Sequence, residues 1–168
     1  MLVDSYRFLP KSFLPLFEHA TPLDGERDPV WAPFGSRLAD ASIALVTSAG
    51  LSVEGEQPPF DLDAERRRPS WGDPTHRVLP HDLRDRQLVM SHLHVNSTDI
   101  LADKNVAFPV DVLDELVVEG RVGSAAPAHA SVMGYQEAGL DLWRTQTAPA
   151  IVELLLSQRT DGVVLAPV

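Results

Sequence analysis

No cysteine occurs among the 168 residues of this chain. Disulfides, thiolate metal sites and an internal thiol nucleophile are thereby excluded, and a reducing, cytoplasmic setting fits. Long apolar runs are missing too. No segment approaches the roughly 20 apolar residues of a membrane span. Met1 to Ser12 lacks a basic start followed by an apolar run, so no secretory leader is expected. Basic residues are scarce, 14 against 24 acidic ones, for a formal net charge of −10. Nucleic acid, which requires a concentrated basic face, is therefore not an expected partner. The one basic run, Arg66-Arg67-Arg68, sits beside Glu65 and Pro69. It reads as a solvated loop, with an anionic substrate or partner as the alternative.

What is present supports one domain with a sizeable core, since 44% of the residues are apolar. Residues 1–40 carry Tyr6, Phe8, Phe13, Phe17, Trp31 and Phe34 between closely spaced prolines. Such a segment cannot form a long helix and is expected to wrap over its own domain or a partner subunit. Residues 41–168 alternate strand-like and helix-like stretches. Ser42–Thr47 is short, β-branched and apolar, as a central parallel strand should be. Further strands are expected at His76–Pro80 and Leu88–His94. Helices are expected over Val110–Glu119, closed by Gly120, and from Pro149 to Ser157. The last stretch, Thr160 to Val168, reads as a buried inner strand. The pattern predicts an α/β fold, an open and mostly parallel sheet with helices on both faces, Rossmann-like or flavodoxin-like, completed by a partner chain.

Two polar groups are candidates for chemistry. His92 and His94 alternate by two, so on a strand both imidazoles would face one side and could meet a divalent metal or one substrate. Asp99 and Asp103 are four apart and would align on a helix, with Asn105 positioned to orient a carboxylate. Three readings stay open for this set: a metal site, a polar catalytic or ligand-orienting cluster, and hydrogen-bonded structural histidines beside a capped connector. The second group is His129, Ser131, Met133 and Tyr135, in which an imidazole could shuttle a proton; a structural turn is the alternative. Ser48 and Gly50, in the small-residue stretch after the first strand, would let a ligand approach the backbone, or simply make a tight turn. His76 and His81, flanking Pro80, read as surface or loop histidines. Trp71 and Trp143 read as apolar anchors.

Several stretches occur in an order that resembles a known family. They are Ala44-Leu-Val-Thr-Ser-Ala-Gly50, Gln57-Pro-Pro-Phe60, Gly72-Asp-Pro-Thr-His-Arg-Val78, Ser91-His92, Asp103-Lys-Asn-Val-Ala-Phe-Pro109 and Gly123-Ser-Ala-Ala-Pro-Ala-His-Ala-Ser-Val-Met-Gly134. Together they look like the N-terminal half of the glycine/sarcosine/betaine reductase component B and D-proline reductase family, over about residues 40–168. The resemblance implies a reductase of small amino acids or their N-methylated relatives, which cleaves a carbon–nitrogen bond with a selenocysteine or cysteine and takes electrons from thiols or a protein partner. In that family the reactive residue closely follows a strand resembling Asp161–Val168. This chain has no such residue, which leaves three explanations. A partner chain supplies it, the chain is a fragment of a longer product, or it has diverged to a thiol-independent role. The first gives the expected function, a subunit of a heteromeric reductase-like enzyme. A cysteine-containing partner would complete the fold, within a homo- or hetero-oligomer. His92, His129 and Asp103 would then be catalytic. Ser48, Gly50, Asp99, Asn105 and Ser131 would bind a small polar substrate. The alternatives are a non-catalytic scaffold or binding subunit, and a metal-dependent enzyme using His92 and His94.

Overall fold

The computed structural model describes residues 32–68, 71–83, 86–93, 97–134 and 140–168. The chain divides into two compact units, 1–33 and 34–168. The wrapping arm expected over residues 1–40 lies almost wholly outside the described residues, as do His94 and Tyr135.

The second unit is organised by β1 (Ser42–Thr47). Its alternating side chains feed two cores. Ile43 and Leu45 join Leu79, Phe108, Val110 and Leu113 on one side. Val46 packs with Ala130, Val132 and Ile151 on the other. The chain continues through β2 (Leu51–Val53), α1 (Leu62–Arg67), β3 (His76–Pro80) and β4 (Leu88–Met90). Then come α2 (Ser97–Ala102), a 3₁₀ turn at Lys104–Val106, α3 (Val110–Val118), β5 (Ser124–Ala125) and β6 (Ala128–Val132). A helical stretch, with a π-turn at Trp143–Thr147, leads into α4 (Ala148–Ser157), and β7 (Gly162–Ala166) follows. Gly120, at φ +69°, ends α3 in the left-handed conformation that a glycine adopts without a Cβ penalty.

The open, mostly parallel sheet expected from the alternation of elements is not what forms. β1 is parallel to β5, β6 and β7, but β3 runs antiparallel to β6, and β2 pairs antiparallel with β4 in a separate ribbon. The main sheet is thus mixed, and it curls strongly into a half-barrel rather than opening as a Rossmann or flavodoxin sheet does. The burial of β3 explains the error. Only Leu79 is buried while Val78 is exposed, the half-solvated pattern of an antiparallel edge rather than the continuous apolar run of a parallel inner strand.

β7 differs from expectation as well. It pairs along β1 from Ile43 to Thr47, yet Val163, Val164 and Leu165 are 40, 46 and 71% exposed. Among the described residues it has β1 as its one strand neighbour.

Between the start and end of β1 the opposite strand carries a bulge. Residues 43 to 46 of β1 face residues 125 to 130, so the second strand has two residues too many. Ala126 still donates to the Ile43 carbonyl at 2.8 Å; the ladder breaks at Pro127, which has no N–H to offer, and Ala128. The end of α4 braces this break. The Gln158 side-chain amide accepts from the Ala128 N–H at 3.0 Å and donates to the Ala128 carbonyl at 2.8 Å.

At the other end of β1, Gly50 has φ +65°, and a Cβ there would lie 2.5 Å from the Ser91 carbonyl oxygen. That approach continues the β2–β4 ribbon, with Ser91 N–H donating to Gly50 O at 2.9 Å, while Gly50 N–H donates to the Val132 carbonyl of β6 at 3.0 Å. Gly50→Ala is expected to cost about 2–3 kcal/mol, combining a left-handed alanine with overpacking. Urea denaturation checks this; an unchanged midpoint would mean that the backbone relaxes freely.

Candidate functional site

His129 lies on β6 with no solvent-exposed surface. Its position follows from the bulge. The excess residues leave the Leu45 N–H without a carbonyl opposite, and the His129 ring fills the gap, Nδ1 accepting from Leu45 N–H at 3.0 Å. That bond fixes the tautomer. With Nδ1 an acceptor, a neutral His129 carries its proton on Nε2, which lies 3.1 Å from His81 Nδ1. His81 must then accept at Nδ1 and donate from Nε2, which lies 2.8 Å from Asp114 Oδ1. One proton arrangement therefore runs from the middle of β1 to the surface: Leu45 N–H to His129, His129 to His81, His81 to Asp114. Phe108 and His81 both meet the His129 ring edge-on, with centroids at 5.3 Å. Burial, and secondarily the neighbouring His81, lower the His129 pKa to about 4.

The outer end of this chain opens into a cleft of about 440 Å³ lined by His81, Asp82, Leu83, Lys104, Val110, Asp111 and Asp114. Its floor is set by the connector between α2 and α3. Asp103 caps the 3₁₀ turn, accepting at Oδ1 from the backbone and side-chain N–H groups of Asn105, both at 3.0 Å. Asn105 Oδ1 in turn accepts from the Asp111 N–H at 3.0 Å, which caps α3. The Asp111 carboxylate accepts from Asn105 Nδ2 at 2.9 Å and pairs with Lys104 Nζ at 2.5 Å. Those hydrogen bonds from Lys104 and Asn105 hold the Asp111 carboxyl below the usual carboxylate range. Asp111 and Asp114 are one helical turn apart on α3, and the Lys104–Asp111 and His81–Asp114 pairs both line this cleft.

The residues singled out in the sequence do not converge on one place. Asp103 and Asn105 do not line this cleft; they flank its Lys104 and tie the connector to Asp111. His129 stands behind it, with both ring nitrogens engaged. Asp99 is an exposed residue on α2. His92 is buried just beyond β4, which ends at Met90; its proposed companion His94 lies outside the described residues. Ser131 is fully buried and its hydroxyl accepts from the Leu51 N–H at 2.7 Å. Ser48 lies at the opposite end of β1, where its hydroxyl accepts from the Val168 N–H at 2.8 Å, and Gly50 packs on Ser91. Among the described residues no group of three or more His, Asp or Glu is arranged to hold a metal ion. His81, Asp114 and Lys104 were missed. The helical spacing of Asp111 and Asp114 was visible, but nothing in the sequence ties His81 to His129, 48 positions away.

A second cleft, of about 690 Å³, lies between residues 57–61 and 73–78. Its arginine is already committed: Arg77 donates to the Pro58 and Pro59 carbonyls at 2.6 and 3.0 Å and stacks 4.2 Å over the Phe60 ring. Asp73 Oδ2 accepts from the Asp61 N–H at 3.0 Å. Two of the stretches that carry the family resemblance, around Phe60 and around Arg77, thus meet in a latch that holds the long loop.

Over 139 residues the chain is 32% identical to D-proline reductase subunit gamma of Acetoanaerobium sticklandii, a match covering 82% of this chain and 52% of that protein. The chain spans about half the length of this curated relative. The match supports assignment at the level of that protein's family. No protein-family model and no solved structure matches.

Proposed function

From this family-level kinship we propose that the chain is one subunit of a heteromeric reductase acting on a small amino-acid-like substrate, with the reactive cysteine or selenocysteine supplied by a partner chain. Reductive cleavage of a carbon–nitrogen bond consumes two electrons and two protons. The carbon gains hydrogen, the nitrogen leaves as an amine, and a partner's thiol pair becomes a disulfide. Nothing in the 168 residues can supply those electrons, because the chain has no cysteine. What it offers is a binding surface, a positioned imidazole and a sheet edge.

The observation that carries this reading is β7. One side of its ladder bonds to β1, and its apolar side chains Val163, Val164 and Leu165 are exposed. Among the described residues no second strand pairs with this apolar edge, and such an edge is a template for pairing with another chain. His92, Asp103 and His129 remain the proposed polar contributors, with His129 acting through His81 because its own ring is sealed from solvent.

Co-expression with a cysteine- or selenocysteine-containing partner tests the reading. The expected result is a stable complex that releases amine from a small cyclic or N-methylated amino acid only when both chains and a thiol are present. Val164→Lys, at an exposed position, should abolish the complex while leaving this chain folded. Turnover by this chain alone would overturn the proposal, and so would failure to bind any such partner. A complex whose activity resides wholly in the partner would favour the non-catalytic scaffold.

A further inference from the structure

We propose that the cleft between α1 and the β2–β4 ribbon binds a small, neutral, mostly apolar compound whose single hydrogen-bonding end seats on Ser91. This cleft, of about 450 Å³, is separate from the one beside His81, and its occupant does not depend on the reductase reading. Its inner wall comes from the ribbon. Val89 and Ser91 are two positions apart in extended chain, so their side chains leave the same face, and both line the cleft. Met90, between them, points the other way into the main core. Pro59, Phe60 and Leu62, from the long loop and the start of α1, form the facing wall.

Ser91 is the feature that points to a ligand. It is 1% exposed, and among the described residues its hydroxyl has no hydrogen-bond partner. Buried hydroxyls are nearly always paired, because an unsatisfied one carries the full cost of its lost water. The backbone holds the residue in place, its N–H donating to Gly50 O at 2.9 Å. The facing wall is held as well: Arg77 stacks 4.2 Å over the Phe60 ring, and the Asp61 N–H donates to Asp73 at 3.0 Å. The site is thus preformed, which lowers the ordering cost of binding. Charged groups at the mouth are already engaged. Arg66 pairs with Asp63 at 2.9 Å, and Asp61 Oδ1 accepts from the Ala64 N–H at 2.8 Å. An ionised end brought to Ser91 would be desolvated between apolar walls without a counter-charge. A phenolic, alcoholic or amide end would instead supply the missing bond, since a hydroxyl both donates and accepts.

The test is an NMR titration of the full chain that follows the Val89 methyl and Ser91 amide resonances. Phenol and toluene, alike in size and differing by a hydroxyl, are the probes, with benzoate as the charged comparison. Saturable shifts are expected with phenol, and toluene should bind about tenfold more weakly, the worth of pairing a buried hydroxyl. Benzoate should also bind at least about tenfold more weakly than phenol, because its charge meets apolar walls. In Ser91→Ala, phenol should fall to the level of toluene, while toluene holds or tightens. Toluene matching phenol in the parent chain, phenol affinity that ignores Ser91→Ala, or the lack of any saturable shift overturns the proposal. So does benzoate that binds more tightly than phenol and loses this advantage in Arg66→Gln, which marks an anion site at the mouth instead. If Ser91→Ala does not fold, the contrast between phenol and toluene in the parent chain decides alone.

Discussion

His129→Ala is expected to lose roughly 3–5 kcal/mol of folding stability, enough to unfold a marginally stable domain. The loss has two sources. Truncating a fully buried side chain opens a cavity between Phe108 and His81, both in edge contact with the ring. It also orphans the Leu45 N–H in the middle of the central strand, where the bulge provides no carbonyl. His129→Asn separates the two. The asparagine Oδ1 can stand where Nδ1 stood and accept from Leu45, so about 1–2 kcal/mol should return, the cost of an unsatisfied buried donor. The link to His81 does not return, because the shorter side chain cannot reach it. Equilibrium urea unfolding of the three proteins reads these differences. An alanine variant within 1 kcal/mol of the parent would show that the sheet closes the bulge by other means.

Acidification should weaken the fold through the same ring. The reference pKa of 6.5 applies to the unfolded chain, and burial lowers the folded value to about 4. Above pH 6.5 both states are neutral at this position and the stabilisation is complete. As pH falls from 6.5 toward about 4 the unfolded state takes up the proton and the folded state does not. The unfolded state is favoured progressively, by roughly 3 kcal/mol in total once pH is below the folded value. A second proton has no place in the native arrangement: on Nδ1 it would meet the Leu45 N–H. His76 is also lowered, by burial and then by Arg77, and contributes in the same direction. Asp111, depressed by its hydrogen bonds, acts only below its reference of 3.8. The His129→Asn comparison therefore isolates the ring: its stability should fall less steeply than the parent's between pH 6.5 and 4. Parallel slopes in the two proteins would refute the assignment.

The stretches that carry the family resemblance have a physical explanation in this fold. Gly50 admits the Ser91 carbonyl, Arg77 clamps the loop bearing Phe60, Asn105 ties Asp103 to Asp111, and His129 fills the bulge opposite Leu45. Three of the four pair stretches distant in sequence; the Asn105 tie is local. Ser48, Gly50 and Ser131 illustrate the consequence. Their small or hydroxylated side chains suggested ligand contact; in the fold the Ser131 and Ser48 hydroxyls accept from the Leu51 and Val168 N–H groups, and Gly50 packs on Ser91.

The segments themselves were legible in the sequence. β1, α3 with its closing Gly120, α4 and the terminal strand follow from apolar spacing and from glycine and proline chemistry, all of which act within a few residues. The absence of a thiol nucleophile was likewise decided by composition alone. Strand direction was not, because a period of two places side chains on alternate faces whichever way the neighbour runs; β3 therefore looked like any other short strand. Nor could spacing reveal the Leu45–His129–His81–Asp114 chain. It exists because a two-residue bulge leaves one N–H unsatisfied, and only the folded sheet determines which ring is close enough to accept it.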